Sequence, residues 1–152
     1  MGCRAGTRIR QPVLATAVMG SHNDTLLRLK EILQKLKPRQ FEELAASLIG
    51  RLLDVPIAVA KSGFQFGGDA GPAGRAQRSF RIEAKRYGDN TSLSDRELLG
   101  EIDHAIARDS GLEGWFLVAT REVPEQLEMD LADKSAKVGV PVIVIDWKPT
   151  ST

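Results

Sequence analysis

Ser79-Phe80-Arg81-Ile82-Glu83-Ala84-Lys85 alternates apolar and charged side chains without a break. A period of two is the signature of a strand, with Phe80, Ile82 and Ala84 facing one way and Arg81, Glu83 and Lys85 the other. Just upstream lies Gly67-Gly68-Asp69-Ala70-Gly71-Pro72-Ala73-Gly74, a glycine-rich turn that carries an aspartate. A hairpin pairing 67–75 with 79–85 around Ala76-Gln77-Arg78 sets Glu83 opposite Gly71, with Asp69 and position 73 flanking that point on the same face. Asp69 then stands within reach of a cation held by Glu83. An E-x-K strand alone is weak evidence, because solvated strand faces often carry such pairs. The aspartate in the preceding turn strengthens it.

Outward from this strand the pattern changes period several times. Leu26, Leu29, Ile32, Leu33 and Leu36 recur at helical spacing after the cap candidates Asn23-Asp24-Thr25, which predicts an amphipathic helix over about 24–36. Pro38 suits the first turn of a second helix, whose broad apolar face comprises Phe41, Leu44, Ala45, Leu48, Ile49, Leu52 and Leu53. Ile57 and Val59 make a modest strand. After the hairpin, Ser94 or Ser92 caps a helix over about 94–109 that buries Leu98, Leu99, Ile102, Ala105 and Ile106. Trp115-Phe116-Leu117-Val118-Ala119 reads as a strand covered on both faces. Val123-Pro124 opens a last helix, which ends at Val138 with Gly139 as its cap, and Val142-Ile143-Val144-Ile145 reads as a final buried strand. Three neighbouring strands followed by helix, strand, helix, strand predict an α/β domain: a mixed sheet flanked by helices.

At 152 residues, 42% hydrophobic and 27% charged, the chain has the length and composition of one globular domain. Its net charge of +1 is unevenly spread. Residues 1–40 hold eight Lys and Arg against Asp24 and Glu31, so the remainder is net negative by five. A basic segment ahead of an acidic domain suits contact with a polyanion, and equally a solvated basic helix face. Cys3 is the sole cysteine, which excludes a disulfide framework and a cysteine-based zinc site and points to a reducing, cytoplasmic setting. No apolar run reaches the ~18 residues of a membrane span. The expected organisation is a disordered leader over 1–22, a domain over 23–148 and the start of a linker over 149–152.

Cutting a phosphodiester takes an acid cluster that holds a hard cation and a group that steadies the developing charge. Glu83 and Lys85 answer that demand. The chain resembles the PD-(D/E)xK nuclease superfamily, and within it the Mrr-like restriction endonuclease domain. The resemblance runs from Leu26 to Trp147. It rests on Phe41-Glu42-Glu43-Leu44, on the glycine–aspartate turn, on Ile82-Glu83-Ala84-Lys85-Arg86-Tyr87, on Val118-Ala119-Thr120 and on the closing strand after Val140. It implies a restriction-endonuclease-like mixed sheet flanked by helices (an αβββαβ core) and a metal-dependent DNA endonuclease using Mg2+ or Mn2+. Glu83, Asp69 and the backbone carbonyl of Ala84 would hold the metal, with Glu42 completing the sphere as a helix glutamate does in some relatives. Lys85 would assist the attacking water. Such domains serve as cutting modules of larger bacterial defence proteins, which implies further sensor or specificity domains, and two-strand cutting implies a homodimer.

One position departs from the pattern. Relatives often read D-x-G-x-D-G here, with the second aspartate as metal ligand, and this chain has Ala73 in that place. Three readings follow: an introduced inactivating substitution at a position that is Asp in the active form, takeover by Asp69, or a non-catalytic DNA-binding or assembly module on the same fold. Lys61, Arg75, Arg78, Arg81 and Arg86 crowd the hairpin and are the expected phosphate contacts. Tyr87 suits stacking or packing, His104 the surface, and Trp115 and Phe116 the core. No Walker A loop or dinucleotide fingerprint occurs.

Overall fold

Six consecutive buried residues, Gly114–Ala119, mark a strand covered on both faces, and the rest of the chain is arranged around it. The computed structural model describes residues 14–55, 57–59, 70–72 and 79–148. In chain order the elements are α1 (Leu14–Lys35), α2 (Pro38–Leu53), β1 (Ile57–Val59), β2 (Ala70–Pro72), β3 (Phe80–Lys85), α3 (Asp95–Arg108), β4 (Gly114–Ala119), α4 (Glu125–Val138) and β5 (Val142–Ile145). This is the order expected from the sequence.

Among the described residues the strands form one sheet in the order β1-β2-β3-β4-β5. The first three are antiparallel neighbours, and β3, β4 and β5 run parallel. The fold is therefore a mixed α/β sheet, and the change from antiparallel to parallel pairing falls at β3. Helices α3 and α4 supply the crossovers that parallel neighbours require.

The two faces of β4 separate two cores. Trp115, Leu117 and Ala119 pack against Leu98, Ile102 and Ala105 of α3 and Leu127 and Leu131 of α4. Phe116 and Val118 turn the other way, with Phe80 and Ile82 of β3, onto Phe41, Ala45, Ala46 and Ile49 of α2. Phe80 and Phe116 meet edge to face at 6.2 Å, an arrangement the ring quadrupoles favour. Ser94 caps α3 by accepting from the Glu97 N–H, and Gly139 closes α4 in the left-handed conformation at φ 70°.

Four expectations need correction. Helix α1 begins at Leu14, so the backbone of 14–22 is helical instead of a disordered leader; residues 1–13 and the linker-like 149–152 lie outside the described residues. The broad apolar face read on α2 is only partly covered, because the sheet takes Phe41, Ala45 and Ile49 while Leu44, Leu48 and Leu52 remain exposed. Leu29 and Ile32 of α1 are exposed as well. Strand β5 is not a buried strand but the sheet edge, where Val142 and Val144 pack toward the α3–α4 side and Ile143 is 42% exposed. Finally, the hairpin register differs. Ala70 pairs with Ile82, two residues away from the alignment that put Glu83 opposite Gly71. An even slip leaves the alternation of faces intact, so hydrophobic pattern alone does not select between the two registers.

Candidate active site

The β3–β4 register decides where the charged face of β3 points. Arg81 pairs with Trp115, Glu83 with Leu117 and Lys85 with Ala119, and parallel partners share a face. The Glu83 carboxylate is thus sent to the α3 side of the sheet, among apolar neighbours, and is 6% exposed. A buried carboxylate needs a partner. It has one in Lys85, whose Nζ lies 2.7 Å from Glu83 Oε1. The same Nζ lies 2.8 Å from Glu97 Oε1 in the first turn of α3, so the two carboxylates are drawn to one ammonium. Burial works against the Lys85 charge, but Glu83 and then Glu97 outweigh it and hold the Lys85 pKa well above the ordinary lysine value.

A hollow of about 210 Å³ opens here at the carboxyl end of β3. Pro38 and Glu42 at the start of α2, residues Glu83 to Tyr87, and Glu97 and Glu101 of α3 line it. Open α/β sheets place their sites outside the carboxyl ends of their parallel strands. The lining oxygens are hard donors of the kind magnesium prefers. Among the described residues, no group of three or more His, Cys, Asp and Glu side chains is arranged to hold a metal ion.

The expected site residues divide into three groups. Glu83, Lys85, Ala84 and Glu42 come together in the hollow. Asp69 and Ala73, with Lys61, Arg75 and Arg78, lie outside the described residues. Arg81 and Arg86 are described, and both have other engagements. Arg81 sits at the far end of β3, bonded to the Phe80 carbonyl at 2.9 Å and 3.8 Å from Asp109. The Ser79 hydroxyl bonds that Asp109 carboxylate and, with the Gly111 N–H, holds its pKa below the usual range. Arg86 donates from Nη1 to the Gln34 carbonyl at 3.0 Å, in the last turn of α1, where a cation complements the helix dipole. His104 is exposed and Trp115 buried, as read from the sequence.

Glu97 escaped the sequence reading. The Ser94-Asp95-Arg96-Glu97 spacing is that of a capping box, which assigns the glutamate to its own helix terminus. Ser94 does accept from the Glu97 N–H at 3.3 Å, but the Glu97 carboxylate reaches across to Lys85.

Immediately beyond Lys85 the chain is pinned. Buried Thr120 accepts from the Tyr87 N–H at 2.9 Å and donates to the Tyr87 carbonyl at 2.8 Å. Tyr87 itself is half-buried, packing against the α3–α4 core while also lining the hollow. Replacing Thr120 by valine keeps the volume and leaves both backbone groups of Tyr87 without this partner. We expect a loss of about 2 kcal/mol in chemical denaturation; an unchanged midpoint would mean that the bonds are dispensable.

No protein-family model matches this chain, and no curated protein matches it either.

Proposed function

We propose that this chain is a metal-dependent DNA endonuclease domain of the PD-(D/E)xK, Mrr-like type, with the restriction-endonuclease-like core implied by its motifs. The observation that carries the reading is the Glu83–Lys85 pair at the carboxyl end of β3, side by side at 2.7 Å in a hollow that Glu42 also lines. Three further features support it. The donor oxygens suit magnesium or manganese. The first turns of α2 and α3 border the hollow, and their partial positive charge favours a phosphate there. The element order also agrees with the family core.

In this reading Glu83, the Ala84 carbonyl and Glu42 hold the metal, together with Asp69 or an acid at position 73. The bound cation supplies polarisation of the phosphoryl oxygen and a lower pKa for the attacking water. Lys85, held in place by Glu83 and Glu97, presents its ammonium to the phosphate and steadies the charge that develops on it. Burial of the pair leaves few alternative rotamers for that ammonium. The protein would act on DNA as the cutting module of a bacterial defence protein, with sensor or specificity domains elsewhere, as a homodimer when both strands are cut, and in the cytoplasm. Among the described residues no helix is long and apolar enough to cross a membrane.

A second reading is a non-catalytic DNA-binding or assembly module on the same fold. Ala73 in the ligand position favours it. Plasmid DNA incubated with the chain and with its Ala73→Asp form, with and without magnesium, separates the two. We expect cutting only by Ala73→Asp with metal, and none after a further Glu83→Ala change. Salt-sensitive binding without cutting by either form selects the binding module, and neither binding nor cutting eliminates both.

A further inference from the structure

The carboxyl ends of the three parallel strands form a row. Lys85 ends β3, Arg121 follows β4 by two residues and Trp147 follows β5 by two residues. Neighbouring strands are about 4.8 Å apart, so β3 and β5 are separated by about 10 Å. The Trp147 N–H bonds the Arg121 carbonyl at 3.4 Å, which carries the alignment of β4 and β5 past the sheet itself. A second hollow, of about 260 Å³, opens at this end of the row, lined by Leu27, Lys30, Asp89, Arg121, Glu122 and Trp147. The segment from Arg86 to Asp89 runs between the two hollows, contributing Arg86 and Tyr87 to the first and Asp89 to the second.

The charges in this second hollow are not equivalent. Lys30 pairs with Asp89 at 2.7 Å, and Gln34 adds a bond at 3.3 Å, so that pair is neutralised. Arg121 differs. Among the described residues its guanidinium hydrogen-bonds only to carbonyl oxygens, those of Glu122 at 3.1 Å and of Thr91. These bonds orient the guanidinium, and no described carboxylate hydrogen-bonds it. Lys30 chiefly holds the Asp89 carboxyl below the usual range, and the Arg121 charge also acts on it. A half-buried indole lines the same space. A fixed guanidinium beside an aromatic ring is how proteins hold a nucleotide: phosphate on the cation, base on the ring.

The geometry points to a nucleotide subsite in which Trp147 stacks a base and Arg121 binds the adjoining phosphate of a single-stranded nucleic-acid segment. The inference rests on the nuclease reading for the identity of the polymer and extends it: the subsite receives the strand flanking the phosphate at Lys85. Four extended residues span at most about 14 Å, which bounds the path from Lys85 to Asp89. A strand covers that distance in about four stacked nucleotides. Glu122 is the charge that opposes a phosphate in this hollow and limits affinity.

The test uses the whole chain without metal, so neither the presence nor the absence of cleavage affects it. Of the two tryptophans Trp115 is fully buried, so quenching of the accessible fluorescence reports Trp147. We expect a ten-residue oligothymidylate to quench this signal saturably. By anisotropy of a labelled oligomer, Trp147→Leu should weaken binding about 5-fold or more, the loss of one stacked base. Arg121→Ala should weaken it comparably and reduce the salt slope by about 0.7, one phosphate contact on a single strand. Arg121→Lys should recover part of the loss, and Glu122→Gln should tighten binding, a gain that misfolding cannot imitate. The subsite is overturned if the oligomer binds without quenching, if Arg121→Ala binds with unchanged affinity and salt slope, if Glu122→Gln does not tighten binding, or if inorganic phosphate alone quenches as well as the oligomer. Failure here leaves the metal-dependent cleavage experiment unaffected, and failure of cleavage leaves this binding unaffected.

Discussion

Lys85→Met is expected to end cleavage in the Ala73→Asp form and to destabilise the fold at the same time. Loss of a charged group that steadies the transition state costs about 10²–10³ in rate. The stability effect has a separate origin. Glu83 is buried, and Lys85 is the cation that bonds it at 2.7 Å. Removing the ammonium bonded to a buried carboxylate costs about 3 kcal/mol. The pH dependence follows from the Lys85 pKa, which its carboxylate neighbours raise above the unfolded value. A raised cationic pKa contributes stability in full below the unfolded value of about 10.4, and that contribution is lost as pH rises through the folded pKa. The gap between Lys85→Met and the parent in urea unfolding should therefore be constant from about pH 6 to 9 and shrink only above about pH 10. Lys85→Arg separates the two effects, retaining most of the stability while cleavage falls. A Lys85→Met protein as stable as the parent would show that neither the Glu83 pair nor the Lys85–Glu97 bridge from β3 to α3 stabilises the fold.

Trp115→Ala should produce a large loss of stability through the core alone. Trp115 has no exposed surface and sits between β4 and the α3–α4 layer, in contact with the core that Leu98, Ile102 and Leu127 build. Truncating a buried tryptophan costs about 3–5 kcal/mol, against a total of about 5–15 kcal/mol for a typical domain. In a domain of this size each kcal/mol lowers Tm by about 2–4 °C, so a fall of about 6–20 °C is expected in a thermal melt. Ile143→Ala is the control, because Ile143 is 42% exposed on the edge strand and should lose under about 1 kcal/mol. Equal losses at the two positions would contradict the two-faced burial of β4 and the edge position of β5.

Much of the fold is legible in the sequence because the decisive signals are local. Alternation over 79–85 reports β3, the unbroken apolar run after Gly114 reports a strand buried twice over, and Gly139 reports the end of α4. Apart from the helical backbone of 14–22, the corrections concern long-range arrangement. Leu44, Leu48 and Leu52 have the right spacing for a buried face, but whether a face is covered depends on what packs against it, and here the sheet covers only the neighbouring stripe. Val142-Ile143-Val144-Ile145 looks like a core strand because apolar composition does not distinguish an edge from a centre. The register of β2 slipped by two residues because an even shift preserves every face assignment.

The candidate site divides along the same line. That Glu83 and Lys85 lie side by side was determined by sequence alone, since residues two apart on a strand share a face by covalent geometry. Only the tertiary structure decided which face that is, through the β3–β4 register, and so brought Glu97 of α3 onto Lys85, while the packing of α2 on the opposite face carries Glu42 to the rim of the same hollow. Arg86, which reads as a phosphate contact, is directed to the end of α1 by the packing of a helix some fifty residues earlier. Arg121 and Trp147, unremarkable in sequence, share one hollow because β4 and β5 are neighbours in the sheet. Spacing along the chain fixes what one strand presents; lateral strand order and helix packing fix what it meets.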